Sequence, residues 1–337
     1  LLFTIYHPRM GLQARPLIII NNTAARAQRA WPAIRARLDD RAIAYDIYET
    51  ATPGDATIHT RAALERGCSL VAVVGGDGTL SEAAAGYFMP HGVRDAVDAE
   101  PMPVNPDAAL AVFPAGTGDD FARSLAGQRA PLVRWIESFI AHCQRPGVQT
   151  SRRVDVLRIR TDNYRRHVIG INASTLGLGG ETAARVAAQG KTMRRLSGEL
   201  RFAAAALGAL AAWRERPVKV QVDGEVVIEG PMNLVAVANA RFAGGGMMLS
   251  PQAEMDDGKL DVVTARGLHS RGVLRELTRI HQGGHVANPK VKIVQGRYVS
   301  IQTFAPEDAL LIEVDGNVCG RTPADFRIMP SALRIVV

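Results

Sequence analysis

Cysteine is scarce in this chain. There are three in 337 residues, Cys68, Cys143 and Cys319, with no CxxC pair. So sparse and odd a set argues against a disulfide framework and fits a reducing compartment. Aromatic residues make up only 5%, and they do not interleave with basic residues as nucleic-acid platforms require, so no nucleic-acid partner is expected. No apolar run reaches the ~20 residues that span a bilayer. The longest, Phe202–Trp213, falls well short of that. No secretory signal, internal repeat or low-complexity segment is visible, and the expectation is a cytoplasmic protein.

What is present is an ordinary globular composition, 47% hydrophobic and 22% charged. At ~150 residues per domain the length suggests two domains. The net charge is +7, which favours anionic partners such as nucleotides or an acidic membrane surface. Basic clusters at Arg152–Arg153, Arg165–Arg166 and Lys191–Arg195 read first as solvated faces. Glycine is abundant at 32 residues, as tight turns and close backbone approach to a ligand require.

From Pro16 a pattern emerges. Leu17–Ile20, Ala42–Tyr48, Leu70–Val74 and Ala109–Phe113 read as strands, with helices over Ala24–Leu38, from Gly54 to Gly67, over Leu80–Tyr87 and from Asp120. Apolar strands alternating with helices predict a parallel sheet with right-handed crossovers. After about Thr150 the texture turns to antiparallel β. Val154–Ile159, Val168–Ala173, Leu234–Asn239, Lys259–Thr264, Val291–Val294, Tyr298–Thr303 and Leu310–Val314 read as strands, and Asp223-Gly224 as a hairpin turn within Val218–Ile228. One helical stretch, about Glu181–Trp213, interrupts them.

The strongest chemical signal is Gly75-Gly76-Asp77-Gly78-Thr79 directly after the apolar strand. Such a turn brings backbone N–H groups and a helix N-terminus against an anion, ideally phosphate. Asp77 at its tip is placed to hold Mg²⁺ beside that phosphate. The segment matches neither GxxxxGK[ST] nor GxGxxG. A second turn, Pro114-Ala115-Gly116-Thr117-Gly118-Asp119-Asp120, has the same strand–turn–helix setting. Both lie at the carboxyl edge of a parallel sheet, where ligands bind. Thr117 can donate to a phosphate, and Asp120 either caps its helix or meets metal or substrate. His281 and His285 sit four apart, but two glycines between them oppose a helix and no third ligand is near.

With these residues in view, the chain resembles the diacylglycerol kinase catalytic domain, in the bacterial lipid-kinase branch that also resembles sphingosine and ceramide kinases. Gly75–Thr79 matches the family's GGDGT signature, and Gly116–Arg123 its GTxNDFAR motif, except that Asp119 replaces the Asn. Asn239–Gly246, Gly177–Glu181 and Pro251–Asp261 resemble further family segments, and Val314-Asp315-Gly316-Asn317 sits where the family has a DGE motif. The resemblance covers about 16–337. It implies an α/β plus β fold like NAD kinase: a Rossmann-like ATP-binding domain at 16–149, joined again by about 321–337, and a β-sandwich lipid-substrate domain at 150–320. It implies ATP contacts at Asn21, Asn22, Thr23, Thr50, Gly75, Gly76, Asp77, Gly78, Thr79, Leu80, Ser81 and Thr117. A structural Mg²⁺ site is implied at Glu254, Asp257 and the Lys259 carbonyl.

One position departs. The family's proposed general base is a glutamate directly after Asp-Gly, and here it is Asn317. An amide cannot accept the hydroxyl proton. Either another carboxylate serves (Asp315, Asp77 or Asp120), or the protein is a weak or silent kinase that still binds nucleotide or lipid. A soluble-substrate kinase resembling NAD kinase is the third reading. The partners implied are a lipid substrate and, from Lys191–Trp213, a peripheral contact with an anionic membrane; a homodimer is compatible with both.

Overall fold

The computed structural model describes residues 14–90, 99–190, 193 and 198–337. Strand and helix alternate first: β1 (Leu17–Asn21), α1 (Ala25–Asp40), β2 (Asp46–Thr50), α2 (Asp55–Glu65), β3 (Leu70–Gly75), α3 (Asp77–Ala85), β4 (Ala109–Pro114), α4 (Asp120–Ala126) and α5 (Leu132–Gln144). β1 pairs in parallel with β2 and β3, and β3 with β4. β3 is buried along its whole length, as a parallel strand covered on both faces must be. β2 starts later than its apolar pattern suggests, because the chain turns at Ala42 with φ 52°.

Antiparallel strands follow: β5 (Ser151–Thr161), β6 (Arg166–Gly170) and β7 (Ala173–Gly177). Two helices, α6 (Leu178–Ala187) and α7 (Gly198–Ala212), stand where the sequence suggests one stretch. Of the basic cluster expected to open that stretch, Lys191, Arg194 and Arg195 lie outside the described residues. Then come β8 (Arg216–Val222), β9 (Glu225–Met232), β10 (Leu234–Ala238), β11 (Phe242–Ala243), β12 (Met247–Met248) and β13 (Leu260–Ala265). A helix that the sequence reading did not include, α8 (Ser270–Arg279), precedes β14 (Val291–Gly296), β15 (Tyr298–Thr303), β16 (Leu311–Val314), β17 (Asn317–Arg321) and β18 (Ala324–Val336). Among the described residues, no helix is long and apolar enough to cross a membrane.

Two large sheets organise most of these strands, and β11 and β12 form a separate two-stranded ribbon. A 10-stranded sheet runs β2-β1-β3-β4-β18-β15-β8-β9, with β5 paired to β18 and β6 to β5. A 6-stranded sheet runs β14-β13-β10-β7-β16-β17. Their facing side chains form a sandwich core that includes Leu157, Val220, Phe326, Leu176, Val237 and Ile312. A separate core holds the α/β lobe, from Ile18 and Val73 to Phe113 and Phe139. A third lies on the outer face of the smaller sheet, around Ala236, Val263 and Ile280. β18 joins the lobes: Phe326 and Ile328 pack in the sandwich core, while Leu333 and Ile335 pack in the α/β core. The register shift between Met329 and Leu333 separates the two halves. We propose the lobe boundary near 149 and the return at this bulge.

Candidate active site

The parallel strands end together at one edge, where Asn21 pairs with Thr50 and Gly75 with Pro114. Asn21 Nδ2 donates to Thr79 Oγ1 at 2.8 Å, and Asn21 Oδ1 accepts from Thr23 N and Oγ1 at 3.1 and 2.8 Å. Thus Asn21, Thr23, Thr50, Gly75 and Thr79 are brought to one place. Asn22 turns to Gln28, whose Nε2 donates to its carbonyl and side-chain oxygens at 2.7 and 3.1 Å.

The two glycine turns lie back to back. A Cβ on Gly76 would stand 3.1 Å from Gly116 Cα, and one on Gly116 only 2.6 Å from Gly76 Cα. No side chain larger than hydrogen fits between the backbones. Gly76 is also the N-cap of α3 and supplies no side-chain cap, so the first N–H groups of α3 are left for another acceptor. Arg26 reaches across and donates to Gly116 O at 2.7 Å, and half-buried Thr117 is in the same turn.

Three carboxylates sit behind these turns, and each is engaged. Asp77 accepts from Asp120 N and Phe121 N at 3.1 and 3.0 Å. It therefore caps α4, the helix after the other turn, and is not the free loop acid its position suggests. Burial pushes its pKa up. Asp119 stands in the left-handed region at φ 52°, and its Oδ1 accepts from Gly116 N at 2.7 Å, closing the turn. Asp120 does not cap its own helix. Its carboxylate accepts from Gly245 N and Gly246 N at 2.8 and 2.6 Å, fastening the α/β lobe to the glycine loop between β11 and β12. Burial, and then Asp77, push its pKa up to about 7.

The Asp315-Gly316 turn faces α3 from the other lobe. Asp315 accepts four hydrogen bonds, from Ile171 N, Asn172 N, Ala173 N and Ser81 Oγ, all within 3.0 Å. Both oxygens are thus engaged, and Asp315 anchors its hairpin. The Ser81 hydroxyl goes to Asp315. The Leu80 side chain is only 2% exposed, within the α/β core. Asn317 is exposed, and its Nδ2 lies 3.3 Å from where a Cβ on Gly78 would be. The residue at the resemblance's base position therefore meets the first turn of α3.

Sequence reading missed Glu313, two residues before Asp315. Its carboxylate accepts from Thr175 Oγ1 at 2.6 Å and from Gly316 N. Burial raises its pKa to about 7. The only signal for it was an acid inside an apolar hairpin arm. Asp155, also missed, accepts from Gly258 N and Ser331 N, both at 2.7 Å, and so ties the Asp257–Lys259 segment to the β18 bulge. In that segment Asp257 Oδ1 accepts from Lys259 N at 2.9 Å, and Glu254 is exposed. These are hard oxygen donors of the kind Mg²⁺ takes, with water completing the shell. Among the described residues no three His, Cys, Asp or Glu side chains converge. His285 Nε2 and His281 Nδ1 go to the carbonyls of Leu249 and Gly246, at 3.0 and 3.4 Å. The Gly177 turn, at φ 77°, packs against Asn233 O, and Glu181 pairs with Arg216 at 3.3 Å.

Comparison with known proteins fits this geometry. Residues 15–159 match the diacylglycerol kinase catalytic domain, and residues 177–337 match the YegS C-terminal NAD kinase beta sandwich-like domain. A YegS-like lipid kinase of Xanthomonas axonopodis pv. citri is 30% identical over 88% of this chain and 88% of its own. A diacylglycerol kinase of Mycobacterium tuberculosis is 26% identical over 82% of this chain and 79% of its own. The solved structure of a diacylglycerol kinase from Bacillus anthracis superposes with a TM-score of 0.63 at 19% identity, covering 96% of both chains, which shows a shared fold. The chain belongs to the family of diacylglycerol kinases and YegS-like lipid kinases.

Proposed function

We propose that the protein transfers the γ-phosphoryl group of ATP to a hydroxyl of diacylglycerol or a related lipid, working at an anionic membrane surface in the cytoplasm. The observation that carries this reading is the pair of back-to-back glycine turns facing the Asp315–Asn317 hairpin. Phosphoryl transfer is mostly positioning and charge neutralisation. The free N–H groups of α3 would cradle the phosphates, with Asn21, Thr23, Thr50 and Thr79 beside them. Mg²⁺, when bound, would neutralise charge on the β and γ oxygens. Asp77 and Asp120 each accept two N–H bonds and keep one acceptor direction per oxygen. That suits a hydrated ion better than one ligated directly by both. Glu254, Asp257 and the Lys259 carbonyl are our proposed holders of a second, structural Mg²⁺. Three free cysteines support a reducing compartment.

Asp315 is occupied and residue 317 is an amide, so the hairpin supplies no proton acceptor at that point. General-base catalysis contributes about 10²–10⁴-fold. Native turnover is therefore slow, and Asn317→Glu raises kcat by about 10²-fold with ATP affinity unchanged. The test is ATP consumption by native and Asn317→Glu protein across a panel of lipids. Brisk native turnover that the glutamate leaves unchanged would refute the missing-base account. No turnover in either, with ATP still bound, would favour the second reading that the amide motivates, a silent nucleotide- or lipid-binding protein.

A further inference from the structure

One segment of the chain carries a marked excess of positive charge. Between Arg266 and Lys292 there are six Arg and Lys and one acid, Glu276, which leaves +5 of the chain's +7. Glu276 is buried under α8, where Arg279 and Asn288 hold it at 3.2 and 2.9 Å. Arg266, Arg271, Arg275 and Lys292 are exposed and make no ion pair among the described residues. Arg271, Leu274, Arg275 and Thr278 share the outer face of α8 at helical spacing, while Glu276 and, just beyond, Ile280 turn inward.

Apolar side chains stand out of the same layer. Leu274 is 40% exposed and Val286 45%, and on α7 Leu200 is 58% and Leu207 53%. The end of α7 and the start of α8 share a cavity of about 410 Å³, whose lining includes Leu210, Trp213, Asn233, Leu268, His269 and one acid, Glu215, which accepts from Gly267 N. The layer also reaches the site. His281, just past α8, lies 3.4 Å from the carbonyl of Gly246, whose N–H is held by Asp120.

We propose that the α7–α8 layer, with Arg266, Arg271, Arg275 and Lys292 as its charged rim and Leu207, Leu274 and Val286 as its apolar contacts, is the face that docks on an anionic lipid bilayer. Basic and apolar side chains interspersed on one face complement an anionic headgroup layer over hydrocarbon. A nucleic-acid partner fits less well, because no Phe, Tyr or Trp lies between 266 and 292 and the aromatics of the α7 side, Phe202 and Trp213, are half-buried, which leaves no exposed ring for bases to stack on. Docking here sets the Gly244–Gly246 loop, and so the mouth of the site, beside the membrane. The purpose assigned to this face rests on the lipid-kinase reading, but binding to it is measured without turnover.

The experiment is sedimentation of the full chain with vesicles, either pure phosphatidylcholine or an equimolar mixture with phosphatidylglycerol. Native protein binds the mixed vesicles, weakly or not at all the neutral ones, and releases as salt is raised. Replacing Arg271, Arg275 and Lys292 together by Gln lowers the partition constant by about 100-fold, at about fivefold per cation. Replacing Arg29, Arg35 and Arg37 of α1 by Gln removes the same charge elsewhere and lowers binding by less than about threefold. Unchanged melting of both triple variants certifies their folds, and Leu274→Gln with Val286→Gln is a second, charge-neutral probe that also weakens binding. Equal losses from the two triple variants, equal binding to both vesicle types, or capture of single-stranded RNA without vesicle binding would overturn the proposal. Vesicle binding as described with no lipid phosphorylation would leave this face standing while the kinase reading fell.

Discussion

Gly116→Ala probes the contact on which the nucleotide reading rests. The added methyl would stand 2.6 Å from Gly76 Cα and 2.9 Å from Asp119 Oδ1. Ordinary carbon–carbon contact begins near ~3.5 Å, so the turns must part by roughly 1 Å. Neither neighbour yields easily. Gly76 is backbone at the start of α3, and Asp119 is held by its bond to Gly116 N. Overpacking of this kind costs about 1–3 kcal/mol of stability. The functional cost is comparable, because a displacement of ~1 Å at the proposed phosphate cradle lowers rate by about 10²-fold, or about 2.7 kcal/mol.

The assay is ATP binding by calorimetry together with kcat/KM for the best lipid substrate, alongside a denaturant melt. The variant should fold, with a lowered midpoint, and should lose most of its ATP affinity and activity. Gly147→Ala is the control: nothing lies within 4 Å of the added carbon, and stability should stay within about 0.5 kcal/mol. Near-native ATP affinity in Gly116→Ala would refute the claim that the apposed turns form the cradle.

Two further outcomes follow from the carboxylates. Asp315→Ala leaves the N–H groups of Ile171, Asn172 and Ala173 without their acceptor; at ~1–3 kcal/mol for each buried donor it should lower stability by at least about 3 kcal/mol in urea unfolding, and a loss under about 1 kcal/mol would contradict the anchoring role. Stability should fall as pH rises from about 4 to about 7, because burial lifts Asp120 and Glu313 to about 7 and the folded state then binds more protons than the unfolded across that window. His142 and His285, held neutral by burial, act the other way below pH ~6.5 but are outnumbered by the carboxylates that burial lifts, which also include Asp77, Asp119, Asp155, Asp261 and Asp315. Asp120→Asn should flatten the slope, and midpoints that climb from pH 5 to 7 in the native protein would overturn the assignment.

The parts of the fold legible in the sequence were those governed locally. A fully apolar Leu70–Val74 before three glycines reads as a parallel strand and its turn, and Asp223-Gly224 reads as a hairpin because both residues adopt positive φ, 51° and 89°. What could not be read was where each turn's acid finds its donors. Asp77 caps a helix that begins 43 residues later, which only the β3–β4 pairing brings near. Asp315 reaches N–H groups 142 to 144 residues earlier in the chain. Motif spacing names the acid but not its partner, so a free ligand and a saturated anchor look alike. α8 escaped for another reason: Ser-Arg-Gly-Val-Leu-Arg-Glu-Leu-Thr-Arg carries a glycine and few apolar residues, and its inward face is held partly by a buried ion pair.

The hairpin of the second lobe separates scaffold from chemistry. Asp315 and Gly316 occupy its two central positions at φ 49° and 91°, the geometry of a tight two-residue turn. Asp315 ties the tip to the 171–173 backbone and to α3, while Glu313 holds Gly316 N from within the hairpin. Neither acid touches Asn317, which pairs across the turn with Val314 and presents its amide to Gly78. The tip keeps its place whatever side chain stands at 317. A glutamate there is nearly isosteric beyond one methylene, exposed, and beside the positive end of α3, where a carboxylate is favoured. On the proposed reading, position 317 alters proton acceptance and leaves the geometry alone, so a change in kcat there would report chemistry, whereas the same measurement at Asp77, Asp120 or Asp315 would also report the loss of a strut.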